Sequence, residues 1–467
     1  MMYIILRTKV SLLTFVIIGR FRLKYIVSYQ AFSFGMLYSR TMNVLRSLRH
    51  RPFAFLWTGQ TTSRLGDSLY RIALSWWVLE QTGSAVAMGT VLVFSQVPML
   101  IFLLIGGVVV DRLPRIRIMF SSDVLSGLVI TFVTVFSWLD LLQIWHIYIA
   151  SMLFGFVEAF FFPAYQAVIP QITPSELLVS ANSLNGLSQR VTGIVGPALG
   201  AALVAAGGTS LAFGLDALSF FISALCVMPM LRSNLDKVQR QEIASETGSV
   251  QRPALSAAEG SAKDALRQGF KDLREGFRLV ITIPWIWISI LLFGFVNIME
   301  AGPRAVAMPF LIKEDLGADV KLLGILGSAA SLGFVVGMVW LGQYVRLHRR
   351  GLLGYLSIVG TGAALLPFAF KLPIPILIAS MFVSGMSTSV FALIWTHTLQ
   401  EMVPGNLLGR VYSIDALGSF VLLPIGFSLS GWATDRFGAP TVFLIGGLST
   451  IVLALLGLLH PAIHKLD

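Results

Sequence analysis

Two long hydrophobic blocks, residues 51–231 and 281–460, flank a single long polar run, and few folds can absorb that arrangement. The run Arg232–Arg278 carries nine Lys/Arg and seven Asp/Glu among Gly, Ser and Ala. Within it Leu266, Phe270, Leu273, Phe277 and Val280 recur at steps of four and three, so they share one face of a helix. Lys263, Arg267, Lys271, Arg274 and Arg278 form a basic stripe beside them, as in a helix lying on an anionic membrane surface. The blocks themselves are too apolar for a soluble domain: 56% of the chain is hydrophobic and 12% charged, against about a quarter charged in soluble proteins.

Each block divides into six apolar stretches long enough to cross about 30 Å of hydrocarbon. The first six run at about 53–80, 85–110, 117–138, 143–168, 178–206 and 211–231. The second six run at about 284–312, 321–346, 351–370, 374–399, 408–432 and 440–460. The expected fold is an all-α membrane protein of twelve transmembrane helices. Its organisation is a bundle at 51–231, a linker at 232–280, a bundle at 281–460 and a tail at 461–467. Residues 1–50 form an N-terminal extension, and its apolar run Val10–Ile18 is too short to span. Met42 before Arg46, Arg49 and Arg51 reads as the natural start.

Charge sets the expected orientation. Sixteen Lys/Arg fall in the linker and the loops on its side, including Arg112, Arg115, Arg117, Arg346, Arg349, Arg350 and Arg410. Four fall in the opposite loops, at Lys313, Lys321, Lys371 and Arg436. By the positive-inside rule the linker and both termini are cytosolic. The same rule accounts for the net charge of +11 without nucleic acid. The single Cys226 forms no intrachain disulfide, the six histidines have no metal-ligand spacing, and no phosphate-binding loop or nucleophile with a base is evident, so neither an enzyme nor an ATP-driven pump is indicated.

The blocks repeat. Displaced by 230 residues, Ile169–Leu225 lies on Leu399–Leu455 without a gap, matching Pro174 to Pro404, Gly196 to Gly426 and Gly208 to Gly438 among fourteen identities. Two parallel six-helix repeats imply a site at their interface, opened to each side in turn.

Polar residues inside spans mark where that site lies, because charges there normally face a bundle interior or a water path. Gln60, Arg64, Asp67 and Arg71 share one face of span one; Asn297, Glu300 and Arg304 share one face of span seven, where Pro303 and Pro309 should break the helix. Glu158, Gln189, Arg190, Asp216 and Asp415 add to the set. Asp67, Glu158 and Glu300 are the candidate proton carriers, since a carboxyl group in a low-dielectric cavity can load and release a proton. Arg64, Arg190 and Arg304 would hold such a carboxylate charged or attract an anionic substrate. Each of these residues could equally serve in a structural ion pair.

Two further motifs stand out. In Gly107-Val-Val-Val-Asp111-Arg112-Leu-Pro-Arg115-Ile-Arg117, Gly107 should close span two tightly before a basic hairpin. In Gly193-Ile-Val-Gly196-Pro197-Ala-Leu-Gly200, small residues permit close helix packing and Pro197 a bend. The first resembles the loop signature of the major facilitator superfamily, departing from it at Pro114 and Ile116. The second is similar to a weakened antiporter signature of the same superfamily, with Thr192 where a glycine is usual. Ser63-Arg-Leu-Gly-Asp67, Gln81-Thr-Gly-Ser84 and Leu399-Gln-Glu-Met-Val-Pro404 resemble the subgroup containing macrolide efflux proteins and the enterobactin exporter. The resemblance implies two pseudo-symmetric six-helix bundles, a latch at the Asp111 loop, and a monomeric proton-driven exporter of amphipathic small molecules in a bacterial inner membrane. A siderophore exporter, another permease and a non-transporting sensor on the same fold are the alternatives. No cofactor is implied; protons, cargo and the lipid bilayer are the expected partners.

Overall fold

A computed structural model describes residues 45–231, 277–344, 348–370, 372–464 and 466, apart from the side chains at 104, 108, 111, 112 and 406. The expected start at Met42 and nearly all of the basic amphipathic helix of the linker lie outside the described residues. Two compact units are distinguished. The smaller takes the described residues up to Ala54 with Ile169–Leu187; the larger takes Phe55–Val168 and Ser188–Asp467. In the smaller, the short turn Leu45–Arg49 is held by Ser47 N–H donating to Ser180 Oγ at 3.1 Å.

The described residues are helical, with no strand among them. The helices are α1 (Arg51–Thr82), α2 (Ala85–Arg112), α3 (Arg115–Trp138), α4 (Ile144–Ile172), α5 (178–207) and α6 (209–231) in the first half. The second half has α7 (Pro284–Gly302, extended to Asp315), α8 (Val320–Leu341), α9 (Arg350–Ala363), α10 (Ile374–Met402), α11 (Gly405–Phe420 and Leu423–Phe437) and α12 (Ala439–Leu458).

Ten segments among the described residues are long and apolar enough to cross a membrane. The difference from the expected twelve has two physical sources. One segment, Ser175–Leu231, is 57 residues long and is broken at Gly208, whose φ of 76° and ψ of 176° cannot continue a helix. The other is α1, whose stripe of Gln60, Arg64, Asp67 and Arg71 lowers its hydropathy although its 32 residues exceed a bilayer's thickness. Outward faces are apolar: Leu225, Ile101 and Val339 are at least 60% exposed, as suits lipid rather than water.

The repeat seen in the sequence is a repeat of backbone. Gly438, 230 residues after Gly208, has φ 82° and ψ 154° and joins α11 to α12 as Gly208 joins α5 to α6. Pro174 and Pro404 both have φ −54° and extended ψ, and each carbonyl accepts the amide of the leucine three residues on, at 2.9 Å. Gly196 of α5 packs on Ser68 of α1; Gly426 of α11 packs on Ile298 of α7, the residue 230 places further along.

Helix α7 does not break at its prolines. Pro303–Ala307 and Leu311–Asp315 are π-helical turns on either side of Met308–Phe310. A π turn shifts the bonding register by one residue, which accommodates a ring that lacks an N–H and would otherwise clash with the preceding turn.

Candidate functional site

In the first half the polar side chains of three helices meet inside the bundle. Gln60 Nε2 of α1 donates to Ser223 Oγ of α6 at 2.8 Å, and Ser223 donates to Asp123 Oδ2 of α3 at 2.7 Å. All three are at most 3% exposed. Asp67 lies within electrostatic reach of Arg64, Arg71, Glu158, Asp123 and Asp216. Arg64 stands 5.0 Å from the Tyr165 ring centroid of α4. Asp216 is fully buried; Ser219 lies near its Oδ1, and its Oδ2 has no hydrogen-bond partner. Gly66 makes this possible, because a Cβ at that position would collide with Asp216 and Ser219. Asp123 and Ser223 are not among the residues expected from the sequence. Asp123 was the available signal, a lone carboxylate in an apolar span.

In the second half the polar residues face open space. Glu300 and Arg304, one turn apart on α7, form an ion pair at 2.6 Å, and Arg304 also bonds the hydroxyl of Ser384 on α10. Asn297 Nδ2 donates to the Ser419 carbonyl of α11 at 2.9 Å. Asp415 of α11 accepts from Trp395 Nε1 at 2.9 Å and from Ser419 Oγ at 3.2 Å. These groups border a cavity of about 480 Å³ whose remaining walls include Phe293, Phe391, Trp395 and Phe420. Phe293 stacks on Phe391 with centroids 4.5 Å apart, and Phe391 on Trp395 at 6.2 Å. The volume lies in the range of ligand pockets, and an aromatic wall with a few polar groups is what an amphipathic ligand needs.

A second cavity, of about 200 Å³, adjoins the first through Arg304 and Thr388. Gln189, Arg190 and Gly193 of α5 reach it from the first half. Arg190 lies 4.1 Å over the Phe334 ring of α8. The structure thus brings Gln189, Arg190, Asn297, Glu300, Arg304 and Asp415 to these two spaces. Gln60, Arg64, Asp67, Arg71 and Glu158 gather in the first half and line neither.

The halves are joined at the end away from the linker. Asp435, in the last turn of α11, accepts from Ser84 Oγ at 2.7 Å, Ala85 N–H at 2.6 Å and Val86 N–H at 3.1 Å, and so caps α2. A carboxylate is unfavourable at its own helix's C-terminus and favourable at another's N-terminus, a signal the sequence reading missed. Below this cap, Gly89 and Gly431 let the α2 and α11 backbones approach to a separation no Cβ would permit. Lys313 of α7 reaches Glu80 of α1 at 3.8 Å, and Ser328 of α8 donates to the Ile194 carbonyl of α5 at 2.5 Å.

Of the two glycine motifs, the one in α5 packs helices closely as expected, and the one at Gly107 does not. A Cβ at Gly107 would meet nothing within 4 Å; the close approach is one residue earlier, where Gly106 abuts the Ala159 backbone of α4. Helix α2 ends at Arg112 with Leu113 N–H bonded to the Val109 carbonyl, and Arg115 Nη1 donates to the Ala167 carbonyl at 3.4 Å. The side chains of Asp111 and Arg112 lie outside the described ones, and Arg117 has an interaction of its own. In α5, Gly196 and Gly200 pack on α1, whereas Gly193 faces Ser331, and Pro197 meets Gly324 and Gly327, all on α8. The small residues therefore serve two faces: one inside the first half, one between halves. No group of three or more His, Cys, Asp or Glu among the described residues could hold a metal.

Comparison with known proteins gives matches along both halves. The family described as "Transmembrane secretion effector" matches residues 42–251, and "Major Facilitator Superfamily" matches residues 304–465. Macrolide efflux protein A of Streptococcus pyogenes is 24% identical over 89% of this chain and 97% of its own length. The multidrug efflux pump Tap of Mycolicibacterium fortuitum is 25% identical over 91% and 99%. The enterobactin exporter EntS of Salmonella paratyphi A is 24% identical over 86% and 92%. Among solved structures, a bacterial homologue of the iron transporter ferroportin in an inward-facing state superposes with a TM-score of 0.64, at 14% identity, over 86% of this chain and 98% of that one.

Proposed function

The chain belongs to the major facilitator superfamily, and from that premise we propose that this multi-pass membrane transporter is a proton-coupled exporter of amphipathic small molecules. The observation that carries the proposal is the cavity of about 480 Å³ walled by stacked aromatic rings and bordered by Glu300, Arg304 and Asp415. Its relatives' names, macrolide efflux, multidrug efflux and enterobactin export, support cargo of that kind and the outward direction. The basic loops support a linker side in the cytosol of a bacterial inner membrane. The Asp435 cap and the α5–α8 contacts then close the outer side.

Alternating access needs a reason for the closed outer side to open. A proton taken up by a buried carboxyl group changes the charge balance of the bundle and favours one of two packings. Asp67 and Glu158, in the first-half cluster, and Glu300, at the cavity, are the carboxyl groups proposed to carry it. Arg64 and Arg304 are the opposite charges beside two of these groups, and a bound proton leaves them without a counter-charge. The Asp111–Arg117 loop acts as the cytosolic latch, and the protein works as a monomer.

Purified protein in vesicles, given a proton gradient, should concentrate an amphipathic dye or macrolide. Asp67→Asn and Glu300→Gln should change the pH dependence of that uptake. Normal uptake at every pH by both variants removes them as proton carriers; absence of gradient-driven uptake by the unmodified protein removes the exporter reading itself.

A further inference from the structure

We propose that the smaller cavity is a head-group subsite for an anionic group of the cargo, with Arg190 as its principal ligand and Arg304 as its second; this rests on the exporter reading above. No carboxylate lines the space. What lines it are donors: the guanidinium of Arg190, the side chain of Arg304, the Gln189 amide and the Ser331 hydroxyl. Arg304 gives its Nη2 to Glu300 and Ser384 and borders the space with the rest of its side chain. Arg190 has no acidic partner among the described residues; it lies over the face of Phe334, 4.1 Å from the guanidinium carbon to the ring centroid. Stacking on a ring leaves all the N–H groups in the plane of the guanidinium available, and that planar fork matches a carboxylate. A guanidinium in a membrane interior with no counter-charge is costly, and an incoming anion removes the cost.

Size separates head group from whole cargo. About 200 Å³ is the room of some six or seven waters at about 30 Å³ each. That holds a carboxylate with its first few atoms but not an amphipathic molecule. The larger cavity begins where the smaller ends, at Arg304 and Thr388, so an apolar body among Phe293, Phe391 and Trp395 leaves its anionic end beside Arg190. Because Arg190 comes from α5 and Arg304 from α7, the anion would also bridge the two halves beside the Gly193–Ser331 approach.

The test uses a xanthene dye with a free carboxylate and the methyl ester of the same dye, which differ in that one charge. Binding to the detergent-purified full chain and gradient-driven uptake into vesicles are measured for both. The acid should bind tighter than the ester. Arg190→Gln should weaken the acid by about tenfold, the loss of one charge-assisted contact, and leave the ester unchanged. Arg190→Lys should restore part of the difference, since charge remains without the planar fork. Equal weakening of both dyes by Arg190→Gln overturns the subsite and reduces Arg190 to packing on Phe334. An unchanged acid affinity overturns it as well. If chloride or inorganic phosphate at millimolar concentration abolishes the acid's advantage, the site belongs to a free anion and the assignment to cargo is overturned. Ester uptake that persists while the acid preference fails leaves the exporter reading standing; uptake of neither dye by the unmodified protein overturns both.

Discussion

The two halves share a backbone plan and spend their buried charges differently. The first half buries Asp123 and Asp216 and holds Asp67, Glu158 and Arg64 half-buried beside them, and its Gln60–Ser223–Asp123 chain is at most 3% exposed. The second half sets Glu300, Arg304 and Asp415 on the wall of a cavity. Carboxyl groups packed against serines and glycines, as Asp216 is packed against Gly66, have room for nothing larger than a proton. Carboxyl groups beside an aromatic-walled space can meet a molecule. The difference teaches that a symmetric backbone does not impose a symmetric placement of charge: carboxyl groups gather inside the first repeat and border open space in the second.

The sharpest way to break this comparison is Asp216→Asn. The buried Oδ2 of Asp216 has no partner, so the substitution removes a proton acceptor at little cost in volume. Gradient-driven uptake should fall by about tenfold or more, the scale of a coupling free energy, while equilibrium binding of cargo stays as it was. A fall in cargo binding instead would place cargo contacts at the first-half carboxyl cluster. The converse substitution is Trp395→Ala. It removes a ring stacked on Phe391 and the indole N–H that holds Asp415. Cargo affinity should drop by about 2 kcal/mol, roughly thirtyfold, with the pH dependence of uptake preserved. A changed pH profile with intact affinity would make Asp415 a coupling group beside Glu300.

The division was only partly legible beforehand. The repeat was, because a glycine needed at φ near 80° and a proline opening a helix leave the same letters 230 positions apart. So was the set Glu300, Arg304 and Asp415, since a charge in a span is conspicuous. What could not be read was which charges face a cavity and which are enclosed. Gln60, Arg64, Asp67 and Arg71 form a stripe as regular as that of Asn297, Glu300 and Arg304, yet only the latter borders the larger space. Helical periodicity gives a residue's face, and neighbours from other helices decide what that face meets. Asp435 was missed for the same reason: its partners are the hydroxyl and amides of Ser84, Ala85 and Val86, some 350 residues away.

Residues at the join should change how readily the cycle turns over and neither the cargo bound nor the coupling. Two contacts there predict effects of different size. Asp435→Ala deletes three hydrogen bonds to a helix N-terminus, a capping loss of about 1 kcal/mol, or roughly a fivefold shift toward the state open on that side. Labelling of Phe427→Cys, a smaller side chain buried beside Gly89 in the α2–α11 contact, reports the shift; Trp432→Cys, on the exposed face of α11, serves as the reference that should not change. Lys313→Ala removes a 3.8 Å pair with Glu80 in which both side chains are more than 40% exposed. Charges so solvated contribute little, and labelling should stay within about twofold of the unmodified protein. Should Lys313→Ala open the join as far as Asp435→Ala does, the closure depends on net charge at that end rather than on the cap, and the asymmetry between the halves would no longer explain what drives it.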